Sequence, residues 1–393
     1  MVTSETDTII VGAGPAGLAV GATLRRANVP FVMLERAERV GASWHSHYER
    51  LHLHTPKRHS ALPYRPFPAA YPTYPSRQQV WEYLEDYARA FDLRPEFGRE
   101  VERCVLRTDG VWEVKTNAGT YRGGKLVIAC GWQREPNLPC WPGMDSFPGS
   151  ILHSRDYVNG EQFRGRRVLV VGFGNSGAEI ALDLAEHGAR SAVAVRGKVN
   201  VIPRDLLGVP IIVFALLWRA FPSRLADAVN APTLRLALGN LGALGLAKRD
   251  DGPFTQIAES RQIPMIDVGT LARVRAGDIA VRKGVESFDG AEARFADGTR
   301  ERFDAVVLAT GFTTGLSRML PEHGFVLDSQ GRPRHDGRES GAEAQGLYFC
   351  GYDPGPAGLL RQIGIEARRI GRDIAAAARQ RASMPATKPS VTA

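Results

Sequence analysis

Near the amino terminus, the hydrophobic positions follow first a strand-like and then a helix-like spacing. The largely apolar run Thr8–Val11 predicts a buried strand, and the glycine-rich stretch Gly12–Gly17 predicts a turn. The next apolar positions predict a helix that ends near Ala27, and Phe31–Glu35 predicts a second strand. The pattern therefore indicates a unit of strand, turn, helix and strand.

The same order of elements recurs in the middle of the chain. Val168–Val171 predicts a strand, and Gly172–Gly177 predicts a glycine turn. A helix follows to about His187, with Gly188 as its expected stop, and Ser191–Arg196 predicts the second strand. The duplication indicates two domains of one architecture.

Other segments connect and complete these two units. Leu62–Pro75 contains five prolines and predicts an extended loop, after which Ser76–Phe91 predicts a helix. Lys125–Ala129 and Phe303–Ala309 are apolar and run into glycines, so we expect them to be the strands that close each unit. A further helix is predicted over about 361–379.

These elements predict an α/β fold with two Rossmann-like dinucleotide-binding domains. We expect residues 1–162 and 308–382 to form the first domain and 163–307 to form the second, inserted into it. The segment 383–393 is rich in Ser, Pro and Thr, and we expect a disordered tail there.

Composition narrows the classes of function. The 393 residues are 44% hydrophobic and 23% charged, as in globular proteins. The formal net charge of +8 comes with arginine scattered along the chain, whereas a nucleic-acid interface needs a clustered basic stripe. We therefore expect anionic cofactors and a small-molecule substrate, and no nucleic-acid partner.

The cysteine pattern gives no sign of a disulfide or a metal centre. Cys104, Cys130, Cys140 and Cys350 form no C-x-x-C pair, so neither a redox-active disulfide nor a zinc site is predicted. Five histidines lie within His45–His59 without helical metal-ligand spacing, and we predict no metal there. Low cysteine usage is typical of the reducing cytoplasm.

We expect neither a targeting segment nor a membrane-spanning segment in this sequence. The first predicted strand begins by Thr8, which leaves no room for a signal peptide, and we expect a cytoplasmic protein. The longest uncharged apolar run, Leu206–Trp218, is shorter than the about 20 residues that span a bilayer. It is predicted to be a buried helix, an interfacial segment or a substrate lid.

The first glycine turn has the spacing of a dinucleotide-binding motif. Gly12 permits the tight turn, Gly14 lets a pyrophosphate approach the backbone, and Gly17 lets helix and strand pack closely. The helix amino terminus would face the phosphates, and Glu35 at the end of the next strand would accept a ribose hydroxyl. A purely structural turn is the alternative.

The second turn, Gly172–Gly177, has the same glycine spacing, but a different residue ends the strand that follows the helix. Arg196 stands where Glu35 stands in the first copy, and Lys198 follows it. A guanidinium pairs with a 2′-phosphate, which a carboxylate would repel, so NADP is favoured over NAD. The alternative is that Arg196 is a solvated strand end.

A signature motif lies just before the second turn. The segment Phe147–Tyr157 fits F-x-G-x-x-x-H-x-x-x-[FY], with His153 and Tyr157 at the last two fixed positions. In this sequence context it resembles the flavin-containing monooxygenases. The resemblance implies FAD in the first domain and NADPH in the second.

Further segments are similar to the YUCCA branch of that family. They are Ala42–Trp44, Arg50–Lys57, Tyr74–Pro75, Pro203–Gly208, Leu238–Asn240, Asp267–Gly269, Leu308–Phe312 and Gly346–Tyr348. The resemblance implies a class B monooxygenase in which NADPH reduces FAD, O₂ adds to flavin C4a, and retained NADP⁺ protects the peroxide. The implied substrate is an aromatic 2-oxo acid such as indole-3-pyruvate, which is decarboxylated to the acetic acid.

Motifs and resemblance together imply a set of cofactor contacts. For FAD they are Gly12, Gly14, Pro15, Ala16, Gly17, Glu35, Arg36, Ser43, Trp44, Leu51, His54, Val101 and Gly351. For NADPH they are Gly172, Gly174, Asn175, Ser176, Gly177, Arg196, Thr310 and Gly311. Trp44 is expected to stack near the flavin, with a plain core role as the alternative. No side chain stands out as a catalytic acid or base, so the chemistry is assigned to the flavin.

Two departures from the family pattern leave the substrate open. Cys130 stands where the first closing strand of the family continues into Ala-Thr-Gly, and Gly351–Pro356 differs from the usual Gly-Phe-Thr. The alternatives on the same fold are N- or S-oxygenation and an NADPH oxidase. An alternative of another class is a non-catalytic flavoprotein that senses NADPH. The sequence does not indicate the oligomeric state.

Overall fold

The computed structural model describes residues 2–218, 220–355 and 357–383. Its strands are β1 Val2–Val11, β2 Phe31–Leu34, β3 Val101–Leu106, β4 Trp112–Thr116, β5 Gly119–Ile128, β6 Glu135–Pro136, β7 Ser150–His153, β8 Arg167–Val171, β9 Arg190–Val195, β10 Val201–Pro203, β11 Asp205–Leu206, β12 Val209–Pro210, β13 Met265–Asp267, β14 Ile279–Lys283, β15 Val285–Asp289, β16 Glu292–Phe295, β17 Arg300–Arg302, β18 Ala305–Leu308, β19 Phe312–Thr313 and β20 Leu347–Phe349.

The helices are α1 Pro15–Arg26, α2 Ala42–Ser46, α3 Lys57–Ser60, α4 Arg77–Ala90, α5 Asn175–Glu186, α6 Ile211–Trp218, α7 Ser223–Leu238, α8 Pro253–Thr255, α9 Thr270–Ala276, α10 Leu316–Met319 and α11 Leu359–Ser383. Short 3₁₀ turns occupy Met144–Ser146, Glu161–Phe163, Gly242–Leu244, Gly324–Val326 and Ala342–Ala344, and Gln256–Ser260 forms a π-helical turn. The predicted disordered tail, 383–393, lies outside the described residues except for Ser383, the last residue of α11.

The first sheet has the strand order β2-β1-β5-β4-β3, and β20 also pairs with β5. Strands β2, β1, β5 and β20 are parallel, whereas β3 and β4 are antiparallel. Strand β1 begins earlier than predicted because its backbone pairs with β5 across the polar residues 4–7, which an apolar pattern does not reveal. The duplicated unit is otherwise where the sequence predicts it.

Helix α11 packs against α1 on this sheet. Its buried residues Ile363, Ala367, Ile370 and Ile374 recur at spacings of three and four, which gives the helix one apolar face. The helix is longer at both ends than the predicted 361–379. Helix α4 begins at the capping box of Ser76, as predicted, since the Ser76 side chain accepts the backbone N–H of Gln79.

The second sheet is fully parallel, with the order β14-β9-β8-β18-β7. The expected closing strand, β18, is central between β8 and β7. The expected range of the first domain, 1–162, includes Ser150–His153, but this strand pairs with β18 in the second sheet. The prediction misplaced it because a four-residue strand carries no sign of its partner.

Two chain segments connect the sheets, one in each direction. The first contains β6 and the second contains β19, and these pair as an antiparallel ribbon with Pro136 opposite Phe312 and Glu135 opposite Thr313. Asn137 N–H donates to the carbonyl oxygen of Gly311 at 3.0 Å beside this pair. The two connections therefore run side by side.

An inserted segment with α6 and α7 extends from the second sheet. The hairpin β11–β12 turns through Leu207 and Gly208, both at positive φ (51° and 78°). Helix α6 consists only of apolar residues, yet only Ile212 in it is buried. Among the described residues, no helix is both long and apolar enough to cross a membrane.

Candidate active site

A cavity of about 1020 Å³ lies where the two sheets and the inserted segment meet. The residues that follow β1, β2, β5 and β20 line one side of it, at the carboxyl ends of parallel strands. This is where open α/β sheets bind ligands. The cavity therefore has the position of a nucleotide site and a volume large enough for a nucleotide.

The first glycine turn forms a cradle at the amino terminus of α1. A Cβ at Gly12 would lie 2.6 Å from the carbonyl oxygen of Ala129, and one at Gly17 would lie 1.8 Å from that of Gly12. A Cβ at Gly14 meets nothing within 4 Å, because this position faces the open cavity. No side chain therefore separates the backbone of this turn from the cavity, which leaves room for a pyrophosphate.

Glu35 stands at the cavity wall with both oxygens positioned by backbone groups. One oxygen accepts the N–H of Ala13 at 2.7 Å and the other accepts the N–H of Ala37 at 2.9 Å. Each carboxylate oxygen retains a further lone pair. This geometry fits a ribose diol, and it links the glycine turn to the end of β2.

The remaining predicted FAD residues lie mostly on the same wall. The lining residues among them are Pro15, Ala16, Arg36, Ser43, Trp44, Leu51, His54, Val101 and Gly351. Gly17 is buried in α1 and does not line the cavity, so its role is packing. Cys130 lies in the wall, where its sulfur is 3.1 Å from the hydroxyl of buried Tyr352.

His47 is a cavity residue that the sequence pattern does not distinguish from its neighbours. It lines the cavity, and its Nε2 lies 2.9 Å from Oε1 of Gln133. Burial lowers the pKa of the His47 imidazole, so the ring is neutral at physiological pH. Its place in a histidine-rich stretch was the available signal, but five neighbouring histidines do not indicate which one faces the cavity.

The second glycine turn repeats the first in its geometry. A Cβ at Gly172 would lie 2.4 Å from the carbonyl oxygen of Ala309, and one at Gly177 would lie 2.2 Å from that of Gly172. A Cβ at Gly174 meets nothing within 4 Å. The three glycines do not line the cavity, whereas Asn175 and Ser176 at the start of α5 do.

Arg196 lies exposed immediately after β9, and within the described ranges no residue pairs with it. Lys198, in contrast, holds Asp250 at 2.6 Å. Thr310 donates its hydroxyl to the carbonyl oxygen of Asn137 at 2.6 Å, and Gly311 lines the cavity. Arg196 is therefore the cation at this strand end that is available to an anion.

The two fixed residues of the signature motif, His153 and Tyr157, do not line the cavity. His153 is hydrogen-bonded to backbone groups, and Tyr157 to a side chain of α5. His153 Nε2 donates to the carbonyl oxygen of Gly311 at 3.1 Å, while its Nδ1 accepts the N–H of Arg155 at 3.1 Å. Burial lowers the pKa of His153, which favours this neutral tautomer. Tyr157 is fully buried and donates to Oδ2 of Asp183 at 2.6 Å.

Helix α5 connects the second glycine turn to the first domain's side of the cavity. Its buried Glu179 accepts Nε2–H of the lining residue His54 at 2.5 Å. The buried Tyr48 hydroxyl is hydrogen-bonded to Ser176 at the start of the same helix. Glu179 is not among the predicted site residues. An acidic residue within the apolar face of a helix does indicate a buried polar contact, because buried carboxylates are nearly always paired.

The inserted segment closes the far side of the cavity with an apolar wall. Its lining residues include Ile211, Phe214 and Ala215 of α6, Thr233 and Leu234 of α7, and Phe254 and Ile257. Leu206–Trp218 is therefore a hairpin and a cavity-covering helix, not a core helix.

Arg261 brings a guanidinium to this apolar wall. It follows the π-helical turn and adopts φ 52°, a left-handed conformation that is costly for a side chain of this size. Its Nη2 donates to Asp336 at 2.7 Å, and its Nη1 donates to the carbonyl oxygen of Pro333 at 2.7 Å. Burial raises the pKa of Asp336 to about 7, and Oδ1 of this carboxyl has no hydrogen-bond partner among the described residues.

Gly351 is held by a second buried acid. Its N–H donates to Oε2 of Glu366 at 2.7 Å, and Gln362 donates to the other oxygen of Glu366 at 3.0 Å. Burial raises the pKa of Glu366 to about 8. Gly351 has φ 88° and lies so close to Ala16 that a Cβ would be 3.0 Å from it, so glycine is required here.

Comparisons with known proteins agree with this site. Residues 9–205 match the family model described as pyridine nucleotide-disulphide oxidoreductase. Indole-3-pyruvate monooxygenase YUCCA1 of Oryza sativa subsp. japonica is 39% identical over 93% of this chain and 90% of that protein. Indole-3-pyruvate monooxygenase YUCCA6 of Arabidopsis thaliana is 40% identical over 94% of this chain and 90% of that protein.

The chain belongs to the flavin-containing monooxygenase family, in its YUCCA-like branch. Among solved structures, a flavin-containing monooxygenase from Stenotrophomonas maltophilia has a TM-score of 0.71 at 24% identity and covers 96% of this chain and all of that chain. An oxidised steroid monooxygenase bound to NADP has a TM-score of 0.76 at 20% identity over 96% of this chain and 86% of that chain. These likenesses confirm the predicted two-domain Rossmann-type fold.

Membership of this family also confirms the predicted class of enzyme and its cofactors. The protein is a flavin-dependent monooxygenase that uses FAD and NADPH. The name of the family model refers to disulphide oxidoreductases, whereas in this chain all four cysteines are free and none belongs to a C-x-x-C pair. The individual cofactor contacts stay predictions.

Proposed function

We propose that the protein oxidatively decarboxylates an aromatic 2-oxo acid such as indole-3-pyruvate. In the balanced reaction, the 2-oxo acid, O₂, NADPH and H⁺ give the shortened carboxylic acid, CO₂, H₂O and NADP⁺. The observation that carries the proposal is the apolar wall of the inserted segment, together with the guanidinium of Arg261, which lines the same cavity. An aromatic ring would bury against the wall while a carboxylate pairs with the guanidinium.

The cradle residues are proposed to hold the two cofactors. FAD would lie on the Gly12–Gly17 turn with its ribose on Glu35, and NADPH on Asn175 and Ser176 with its 2′-phosphate on Arg196. When bound, the flavin supplies the oxygen transfer, with electrons from NADPH. The chain's own share is to bind, orient and exclude water.

Arg261 has donors left for a substrate carboxylate. A guanidinium has five N–H donors, and two hydrogen bonds, to Asp336 and Pro333, are made here. The ion pair with Asp336 partly neutralises the cation when that carboxyl is ionised. Because the pKa of Asp336 is raised to about 7, its charge changes in the physiological range.

The domain division, location and partners are proposed with this function. Residues 1–162 and 308–382 would form the FAD-binding domain, apart from β7, and 163–307 the NADPH-binding domain, to which β7 adds a strand. A cytoplasmic location agrees with the four free cysteines. The proposed partners are O₂ and a small molecule, with no nucleic acid.

The experiment is turnover of labelled indole-3-pyruvate with NADPH and O₂. Because 2-oxo acids also decarboxylate with free peroxide, catalase is present throughout. Indole-3-acetate formed in step with NADPH consumption supports the proposal. Loss of product on adding catalase, or stimulation only by amines and sulfides, overturns the 2-oxo acid and favours N- or S-oxygenation.

A further inference from the structure

The outer side of the inserted segment is apolar. Eight of the thirteen exposed large apolar side chains in the described part of the chain lie within 207–263. Six of them lie in the β11–β12 hairpin, α6, α7 and the turn between these helices, and we call them together the outer lid face: Leu207 (95% exposed), Leu217 (67%), Phe221 (54%), Leu225 (48%), Val229 (52%) and Leu236 (88%). Such a concentration of exposed apolar residues in one segment indicates an interaction site, since scattered single exposures are the norm.

Helix α7 carries apolar residues on two opposite sides. Successive helix residues are about 100° apart, so Leu225, Val229 and Leu236 point within about 40° of one another. Asn230 and Leu234 are on the opposite side and line the cavity. The outer stripe is therefore not needed to cover the cavity.

The tip of the β11–β12 hairpin, in the same inserted segment, also exposes a large apolar residue. Leu207 has φ 51° and is 95% exposed. Glycine or asparagine adopts this left-handed turn position at less cost than leucine. A branched apolar residue that is both strained and exposed at a turn indicates that the tip meets an apolar phase.

The charged side chains of α7 that flank the apolar stripe are positive. Arg224 and Arg235 lie about 80–100° to one side of the apolar stripe, both exposed. Asp227 points inward and accepts the N–H groups of Phe254 and Thr255, each at 2.9 Å. The neighbouring acid, Glu259, is 3.5 Å from Arg224, but both side chains are more than half exposed, so the pair is weak.

We propose that the outer lid face docks on an anionic lipid surface. The stripe would insert among the upper acyl chains while Arg224 and Arg235 reach the phosphate headgroups, as in helices that lie in a membrane interface. This goes beyond the proposed reaction and does not depend on it. It would also place the cavity-covering helices at the bilayer surface, where apolar molecules are dissolved.

A second copy of the chain is the competing occupant of this face. A two-fold dimer brings the same patch of both copies together, so the two arginines of one flank would meet their own equivalents or remain outside the contact. An anionic membrane compensates the same charges. Charge complementarity therefore favours lipid.

The test is flotation of the full-length FAD-loaded protein with vesicles. We expect binding to phosphatidylcholine vesicles that contain phosphatidylglycerol, weakening as salt rises, and little binding to phosphatidylcholine alone. The double variant Val229→Glu, Leu236→Glu should have an affinity for the anionic vesicles that is lower by at least about tenfold. Arg224→Gln and Arg235→Gln should each lower affinity about fivefold.

The matched control is Leu138→Glu, since Leu138 is exposed to 64% and lies outside the outer lid face. It should bind vesicles as the unchanged protein does. All variants should keep their flavin and melting temperature, because the sites are exposed. The proposal is overturned if neither vesicle is bound, if both are bound equally, or if the protein is a dimer that the two glutamates dissociate.

Discussion

The imidazole of His54 and the carboxylate of Glu179 meet at 2.5 Å across the boundary between the two dinucleotide motifs. His54 lines the cavity on the FAD side, and Glu179 is on α5, four positions after the first residue of that helix. Glu179 is almost fully buried, so the hydrogen bond from His54 takes the place of the water that burial excludes. The two halves of the cavity are thus joined by a buried hydrogen bond.

Glu179→Ala should lower the free energy of unfolding by about 1–3 kcal/mol, since it leaves the His54 donor without an acceptor. Chemical denaturation measures it. The control is Arg50→Gln, which breaks the more exposed ion pair of Arg50 with Glu186 on the same helix and should cost no more than about 1 kcal/mol. An equal decrease in the free energy of unfolding in both variants would show that the buried pair stabilises the fold no more than the exposed one.

Gly14→Val should abolish FAD binding while leaving the fold intact. A Cβ at Gly14 has open space around it and faces the cavity, so the valine side chain would extend into the space proposed for the pyrophosphate. Flavin absorbance per chain and circular dichroism are the measurements. Gly324→Val, at another glycine with open space around its Cβ, should keep its flavin. A yellow Gly14→Val protein would disprove the placement.

Arg196→Ala should weaken NADPH binding by about 10- to 100-fold, from the loss of a charge-assisted contact worth about 1.5–3 kcal/mol. NADH binding should hardly change. Lys198→Ala is the control with a smaller expected effect, because Lys198 is already held by Asp250. Titration of the flavoprotein with both nucleotides measures this, and a parallel loss for NADH would rule out contact with the 2′-phosphate.

Asp336 should make binding of a 2-oxo acid pH-dependent. Below its pKa of about 7 the carboxyl is protonated, which leaves the charge of Arg261 uncompensated, and above that pKa the carboxylate neutralises it. The KM should therefore rise as pH increases through this value. Asp336→Asn should keep the low KM throughout.

The control for this pH effect is Asp328→Asn. Asp328 pairs with Arg332 and has a lowered pKa, so it stays ionised over the same range. Its replacement should leave the pH profile of KM unchanged. Buried Glu366 also titrates, at about 8, so a profile that survives in Asp336→Asn would point to Glu366 instead.

The parts that could be predicted from sequence are those fixed by neighbouring residues. The two glycine turns depend on contacts within a single strand–turn–helix unit, so spacing alone locates Gly12 and Gly172. The pair of His54 and Glu179 joins positions 125 residues apart, and that of Arg261 and Asp336 joins positions 75 apart. No local pattern encodes such partners, because they are determined by how the two sheets pack together.

The antiparallel ribbon of β6 and β19 has a mechanical consequence. Since both backbone crossings between the sheets run through this one pair, neither crossing can twist independently of the other. Relative movement of the two halves would therefore have to bend both connections together. Such a movement would open or close the space between the nucleotide cradles without changing either cradle, and the hydrogen bond of His54 to Glu179 is one of the contacts that would resist it.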